Sequence, residues 1–199
     1  MEEEGGTFLY EEEEVIPLLP KFLQGQEMLT GASRGSAYHR FLELLHYAKE
    51  QNEETIVNEL EQCVLGGYMT EEMAEAIQVS DILRFLQSST GTRMQEAARR
   101  GELYLERPFM LGVSAEEIYP DTSDEELILV QGIIDAYFVE EGELVVVDYK
   151  TDYVKAPEEL ISRYRAQLEH YSKALEQLTG KKVKERKIYS FALHQEIEV

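Results

Sequence analysis

The sequence predicts an α/β domain, a mixed central sheet flanked by helices with a helical layer built from its N-terminal part. Three observations predict it. Apolar residues recur at three- and four-residue spacing between Tyr38 and Ala48, and again between Leu160 and Leu178, as helices with one buried face require. Valine, isoleucine and aromatic residues concentrate in two runs, Leu127 to Val139 and Leu144 to Thr151, with turn residues between them. Helical segments come first and a β-β-β-α-β order follows, with no internal repeat.

The elements follow in order. Met1 to Thr30 is acidic, then carries Pro17 and Pro20, and reads as a tail or linker entering a domain that spans residues 31–199. A helix is expected from Ser33 to about Lys49, with Tyr38, Phe41, Leu42, Leu45 and Ala48 on its apolar face. A second covers Glu53 to Leu65 and stops at Gly66-Gly67. Thr70 caps a third, a fourth runs through Ile82 to Leu86, and Thr92 to Arg100 forms a fifth, stopped by Gly101. Leu103 to Val113 is extended, and the acidic segment around Pro120 reads as an exposed loop. The two β-rich runs form an antiparallel hairpin about Glu140-Glu141-Gly142-Glu143. A long amphipathic helix runs from about Pro157 to Leu178, with Leu160, Tyr164, Leu168, Tyr171, Leu175 and Leu178 as its stripe. Gly180 ends it, and Val183 to Leu193 supplies the last strand.

Composition narrows the function. At 43% hydrophobic and 30% charged, 199 residues suffice for one domain with a real core. No apolar run approaches the roughly 20 residues that span a bilayer, and none follows a basic start as in a secretory signal. A cytoplasmic protein without a membrane association fits best. The single cysteine, Cys63, excludes an internal disulfide and a cysteine-held zinc or iron–sulfur cluster, and belongs on a buried helix face. The formal net charge of −21 would repel nucleic acid at long range. Charge governs encounter rather than chemistry, however, and much of this acidity clusters in Glu2–Glu4, Glu11–Glu14 and Glu116–Glu126.

The chemistry concentrates in the hairpin. Asp135 interrupts the apolar run Gly132-Ile133-Ile134, and Asp148 directly follows Leu144-Val145-Val146-Val147. A carboxylate entering an otherwise buried strand must be paired, bound to metal or placed at an edge, because burying a lone charge is costly. Two on adjacent strands can converge on one point, and hard divalent cations such as Mg²⁺ take oxygen ligands of this kind. Lys150 lies two residues beyond Asp148 and so points to the same face, where a lysine can orient or deprotonate a water.

The pattern Gly-Ile-Ile-Asp followed by Asp148-Tyr149-Lys150-Thr151-Asp152 resembles the PD-(D/E)XK nucleases of the RecB type, in particular the nuclease domains of AddA-type helicase–nucleases. The resemblance runs from Gly35-Ser36-Ala37-Tyr38-His39 to the Gln167–Tyr171 pair, and covers roughly residues 31 to 193. It implies a restriction-endonuclease-like fold. It also implies that His39, Asp135, Asp148 and the Tyr149 carbonyl ligate Mg²⁺, or Mn²⁺, which satisfies the same ligands. Asp135, Asp148 and Lys150 would then be catalytic, with Gln167 and Tyr171 holding the DNA or the site. The implied activity is that of a DNA nuclease, an exonuclease on single-stranded ends, in helicase-coupled processing of double-strand breaks for recombination. The implied partners are DNA, a helicase domain on the same parent chain and an AddB-like subunit. The cysteine cluster of some relatives is absent, and no phosphate-cradling Gly-Lys-[Ser/Thr] loop occurs, so the chain reads as an excised domain or a free-standing relative.

Taken alone, several of these residues have plainer readings. His39 among Tyr38, Phe41 and Leu42 suits a hydrogen-bonded core position, and His46 competes with it for the same role. Tyr171 lies on the apolar stripe and suits core packing. Glu106 is either a further acidic ligand or a solvent-facing side chain, and Asp152 supports the site rather than binding metal. Five basic residues between Lys181 and Lys187 suit a solvated strand edge better than a phosphate contact. Two rival functions stand beside the nuclease: a stand-alone Cas4-like exonuclease and a catalytically silent nuclease-fold interaction module. An inactive relative would be expected to lose one of Asp135, Asp148 or Lys150, and all three are present.

Overall fold

The computed structural model describes residues 34–114 and 127–199. The acidic N-terminal segment and the Pro120 loop lie outside them. Five helices come first: α1 (Arg34–Leu44), α2 (Glu53–Leu65), α3 (Glu71–Glu75), α4 (Val79–Gln87) and α5 (Ser89–Arg100). There follow β1 (Leu103–Ser114), β2 (Leu127–Glu140), β3 (Glu143–Lys150), α6 (Pro157–Thr179), β4 (Val183–Ser190) and β5 (Gln195–Glu198). The sheet order is β1-β2-β3-β4-β5, antiparallel except for the parallel β3–β4 pair that α6 connects. The expected mixed sheet flanked by helices is the observed one.

Local chemistry accounts for most boundaries. Asn52 and Thr55 form a reciprocal capping box at the start of α2, and Thr70 caps α3 by accepting from Met73 N–H. Gly101 and Gly180 close α5 and α6 in the left-handed conformation. Glu141 (φ 54°) and Gly142 (φ 86°) make the tight two-residue turn between β2 and β3.

Three expectations shift. The first helix ends at Leu44, short of Lys49, because the chain turns there and seats both Leu45 and Tyr47 in the core. Tyr47 then places its hydroxyl 3.3 Å from that of Tyr149. The fifth helix begins three residues early, capped by Ser88 Oγ, which accepts from Gly91 N–H. The last strand is two strands: β4 stops at Ser190, and a turn through His194 (φ 53°) returns the chain as β5. As a result β4 lies between β3 and β5 and is not an edge, contrary to the expectation for Lys181–Lys187. Lys184 pairs with Glu140 at 2.6 Å, and Lys187 lies 3.2 Å from Glu185, so these cations already have acidic partners.

The sheet divides two cores. One face carries Ala136, Phe138, Val145, Val147 and Tyr149 against the α1–α5 layer, where Cys63 is buried as expected. The other carries Leu144, Val146, Ile188 and Ile197 against Leu160, Leu168 and Leu175 of α6. Gly132 has a packing reason: a Cβ there would come within 2.8 Å of the Phe109 ring, which packs edge-on against Tyr171 at 5.4 Å.

Candidate active site

The site forms where the β1–β2–β3 arm changes its regular structure. Side chains of one parity should keep to one face of a strand. In β1, however, Leu103 and Leu105 pack toward the helical layer, whereas Phe109, Leu111 and Val113 pack toward α6. In β2, Val130 and Ile134 face α6, whereas Ala136 and Phe138 face the helical layer. Both strands therefore reverse faces at the same place, between Leu105 and Arg107 opposite Ala136 and Ile134. Glu106 sits at the reversal with φ 44°, the left-handed region that a glutamate seldom adopts. The ladder between β2 and β3 begins only at Ala136 opposite Val147, so the strands part at Asp135 and Asp148.

The parted strands expose polar atoms to one another. Tyr149 N–H donates to Asp135 Oδ2 at 2.8 Å in place of a ladder bond. His39, carried on α1, spans the gap: its Nε2 lies 3.0 Å from the Tyr149 carbonyl and its Nδ1 3.5 Å from Asp135 Oδ1. Glu106 completes a group, because one ligand atom each from His39, Glu106 and Asp135 lies within 4.8 Å of the others. Asp148, fully buried, is turned toward Lys150, whose Nζ approaches Oδ2 to 2.6 Å. Neither Asp148 oxygen has an aligned hydrogen bond among the described residues.

Titration behaviour follows from this crowding. Burial disfavours the Asp135 carboxylate, but the His39 charge and hydrogen bond, Lys150 and the Tyr149 N–H outweigh it and hold the group at about 2. Burial works against the His39 cation as well, yet Asp135 raises it to about 9. Burial and then the repulsion of Asp135 lift Glu106 to about 7. Burial likewise lifts Asp148 to about 6, against the pull of Lys150. Burial disfavours the Lys150 ammonium, but Asp148 and Asp135 raise its pKa above the ordinary lysine value.

The donor set fits a hard divalent cation. Ligand atoms about 3.0 Å apart match neighbouring positions of an octahedral shell with bonds of about 2.1 Å, and His39 Nε2 and the Tyr149 carbonyl stand at that spacing. A buried carboxylate without aligned donors, beside two further acidic groups, is costly unless a cation joins them.

His39, Asp135, Asp148, Tyr149 and Lys150 thus converge, and Glu106 joins them, so its solvent-facing reading does not hold. His46 does not converge: it lies beyond the end of α1 and pairs with Glu59 at 3.2 Å. Gln167 and Tyr171 are buried behind the site, where Gln167 Nε2 donates to the Tyr171 hydroxyl at 2.7 Å and Tyr171 belongs to the α6 core. Asp152 accepts from the Tyr164 hydroxyl at 3.1 Å and stands 3.7 Å from Arg163, a supporting position. Tyr164 was legible only as part of the apolar stripe, yet its ring centre lies 4.2 Å from Lys150 Nζ. No periodicity distinguishes a ring facing a cation from one facing leucines.

A mixed sheet that parts over two aspartates and a lysine defines the nuclease class of fold and site. The chain belongs to the PD-(D/E)XK nuclease superfamily, whose sequence profile matches residues 8–197. It is also similar to proteins named as the A component of an ATP-dependent helicase/nuclease. That of Thermoanaerobacter sp. is 41% identical over 194 residues, covering 95% of this chain and 15% of the relative. That of Lachnoclostridium phytofermentans is 36% identical over 220 residues (93% and 16%), and that of Clostridium novyi 36% over 186 residues (90% and 15%). The chain thus spans about 15% of the length of these relatives.

Proposed function

We propose that the chain is a metal-dependent deoxyribonuclease domain that hydrolyses phosphodiester bonds, with single-stranded DNA ends as substrate and exonucleolytic cutting as its mode. The observation that carries this reading is the convergence of His39, Glu106, Asp135, Asp148 and the Tyr149 carbonyl beside Lys150. His39, Asp135, Asp148 and the Tyr149 carbonyl would hold Mg²⁺ or Mn²⁺, with Glu106 as an additional ligand. When bound, such an ion supplies positive charge that polarises the scissile phosphate and makes water more acidic. Lys150, held protonated by Asp148, would donate hydrogen bonds that orient the attacking water or steady a phosphate oxygen, a positioning role rather than that of a base. Water oxygen bonds to phosphorus, one phosphorus–oxygen bond breaks, and the leaving oxygen takes up a proton. Gln167 and Tyr171 stiffen the wall behind the site. The names of the relatives support placing the domain beside a helicase motor on one parent chain, within an assembly that has a further AddB-like subunit. A motor that delivers strands would offset the repulsion expected of a −21 chain. Processing of DNA breaks in the bacterial cytoplasm is the corresponding role. Among the described residues, no helix is long and apolar enough to cross a membrane.

The test is cleavage of end-labelled linear single-stranded DNA in Mg²⁺ against EDTA, with the unmodified chain, Asp148→Ala and Lys150→Ala. Metal-dependent cutting that both substitutions abolish supports the reading. A folded chain that cuts in neither Mg²⁺ nor Mn²⁺, alone or joined to its helicase, favours the catalytically silent module.

A further inference from the structure

The helical layer carries a surface that the site does not use. The inward face of α2 is Ile56, Leu60 and Cys63. A second apolar stripe on the same helix, Val57, Val64 and Leu65, faces α3 across a groove of about 510 Å³ floored by Leu60 and Ala74. Leu65 is 79% exposed and Val57 38%, which is unusual for leucine and valine on a helix that already buries one full face. The groove is rimmed by Glu61, Glu71 and Glu75. The charge there is one-sided: from Gln51 to Leu83 the sequence has eight acidic residues and no lysine or arginine.

We propose that this groove docks an amphipathic helix of another protein whose apolar stripe is flanked by lysine and arginine. A helix laid in a groove buries an apolar face, and the acidic rim selects basic flanks. Charge argues against the other occupants. A second copy would set acidic rim against acidic rim, and the chain's own N-terminal segment carries Glu2–Glu4 and Glu11–Glu14. The same charge repels DNA, so the α2–α3 face is the protein-facing side of the domain, whatever the site on the sheet hydrolyses.

The experiment uses the full chain with a photo-crosslinking phenylalanine analogue in place of Leu65. The probe is a helical peptide of roughly 18 residues with leucine on one face and lysine on the other. A scrambled peptide of the same composition and a leucine–glutamate helix serve as controls. Crosslinking to the leucine–lysine helix alone is expected. By fluorescence anisotropy, its affinity should fall roughly tenfold with Leu65→Asp, and comparably with Glu61→Gln, Glu71→Gln and Glu75→Gln combined. Raising salt from about 0.05 to 0.3 M should weaken it further. Leu65 and the rim glutamates are exposed, so these variants are expected to fold, with circular dichroism as the check. No binding, equal binding of the scrambled peptide, or an affinity indifferent to Leu65→Asp overturns the proposal. So do crosslinks that map instead to a second copy or to residues 1–33.

Discussion

Lys150 and Tyr164 meet as a cation over a ring: the ammonium lies 4.2 Å from the ring centre, while its carboxylate partner Asp148 stands 2.6 Å away. The tyrosine hydroxyl is tied to Asp152, so α6 and the end of β3 together fix where the ammonium rests. A cation–π contact at a largely desolvated site contributes ~1–2 kcal/mol.

Tyr164→Leu is therefore predicted to lower kcat for DNA cleavage about tenfold with little change in KM, because positioning is lost rather than binding. Tyr164→Phe keeps the ring and should stay within about threefold. Steady-state kinetics of the two variants decide it. Equal losses would mean that the Asp152 bond, not the ring, is what matters.

Glu106 and His39 predict the pH dependence of metal binding. Both must lose a proton to act as ligands, and they do so at about 7 and about 9 respectively. Mn²⁺ affinity measured by calorimetry should rise as pH increases through about 7, with proton release. Glu106→Gln should weaken binding by about 10–100-fold at pH 8, and an affinity that does not change between pH 6 and pH 8 would exclude Glu106 as a ligand.

The same group predicts an opposite effect on the metal-free protein. The folded state raises Glu106 above its ordinary value of 4.5, so it binds more protons than the unfolded chain between 4.5 and about 7. Its contribution thus turns unfavourable as pH rises through that window. Metal-free Glu106→Gln should melt higher than the unmodified chain above pH 7, with the difference vanishing below about pH 4.5. Thermal melts in EDTA across that range would show it.

Arg93 predicts acid sensitivity in the remote part of the sheet. It pairs with Glu140 at 2.7 Å and Glu185 at 2.8 Å, and these hydrogen bonds hold both glutamates at about 2. Depressed carboxylates give stability that is present above the ordinary value of 4.5 and lost as pH falls from there toward 2. Arg93→Met should cost about 2 kcal/mol at pH 7 and flatten the acid limb of urea-denaturation midpoints. A variant that keeps the slope of the unmodified chain would place the acid sensitivity elsewhere.

The order of residues is enough to specify the elements and the principal site residues, because both depend on patterns that repeat or break along the chain. The Leu160–Leu178 stripe requires a helix, and Val-rich runs on either side of Glu141-Gly142 require a hairpin. Asp135, Asp148 and Lys150 stand out because each breaks an apolar pattern. Which side chains from distant segments meet is settled by packing alone. The choice of His39 over His46 depends on where α1 ends, and that end is set by Leu45 and Tyr47 seating in a core shared with Tyr149, which follows Tyr47 by 102 positions. Glu106 enters the site because β1 and β2 reverse faces together, a backbone event without a periodic signature. Tyr164 faces a cation rather than a leucine because α6 crosses the sheet where β3 ends. Local patterns are written in consecutive residues, whereas convergence is a property of packing between segments, and no single segment contains it.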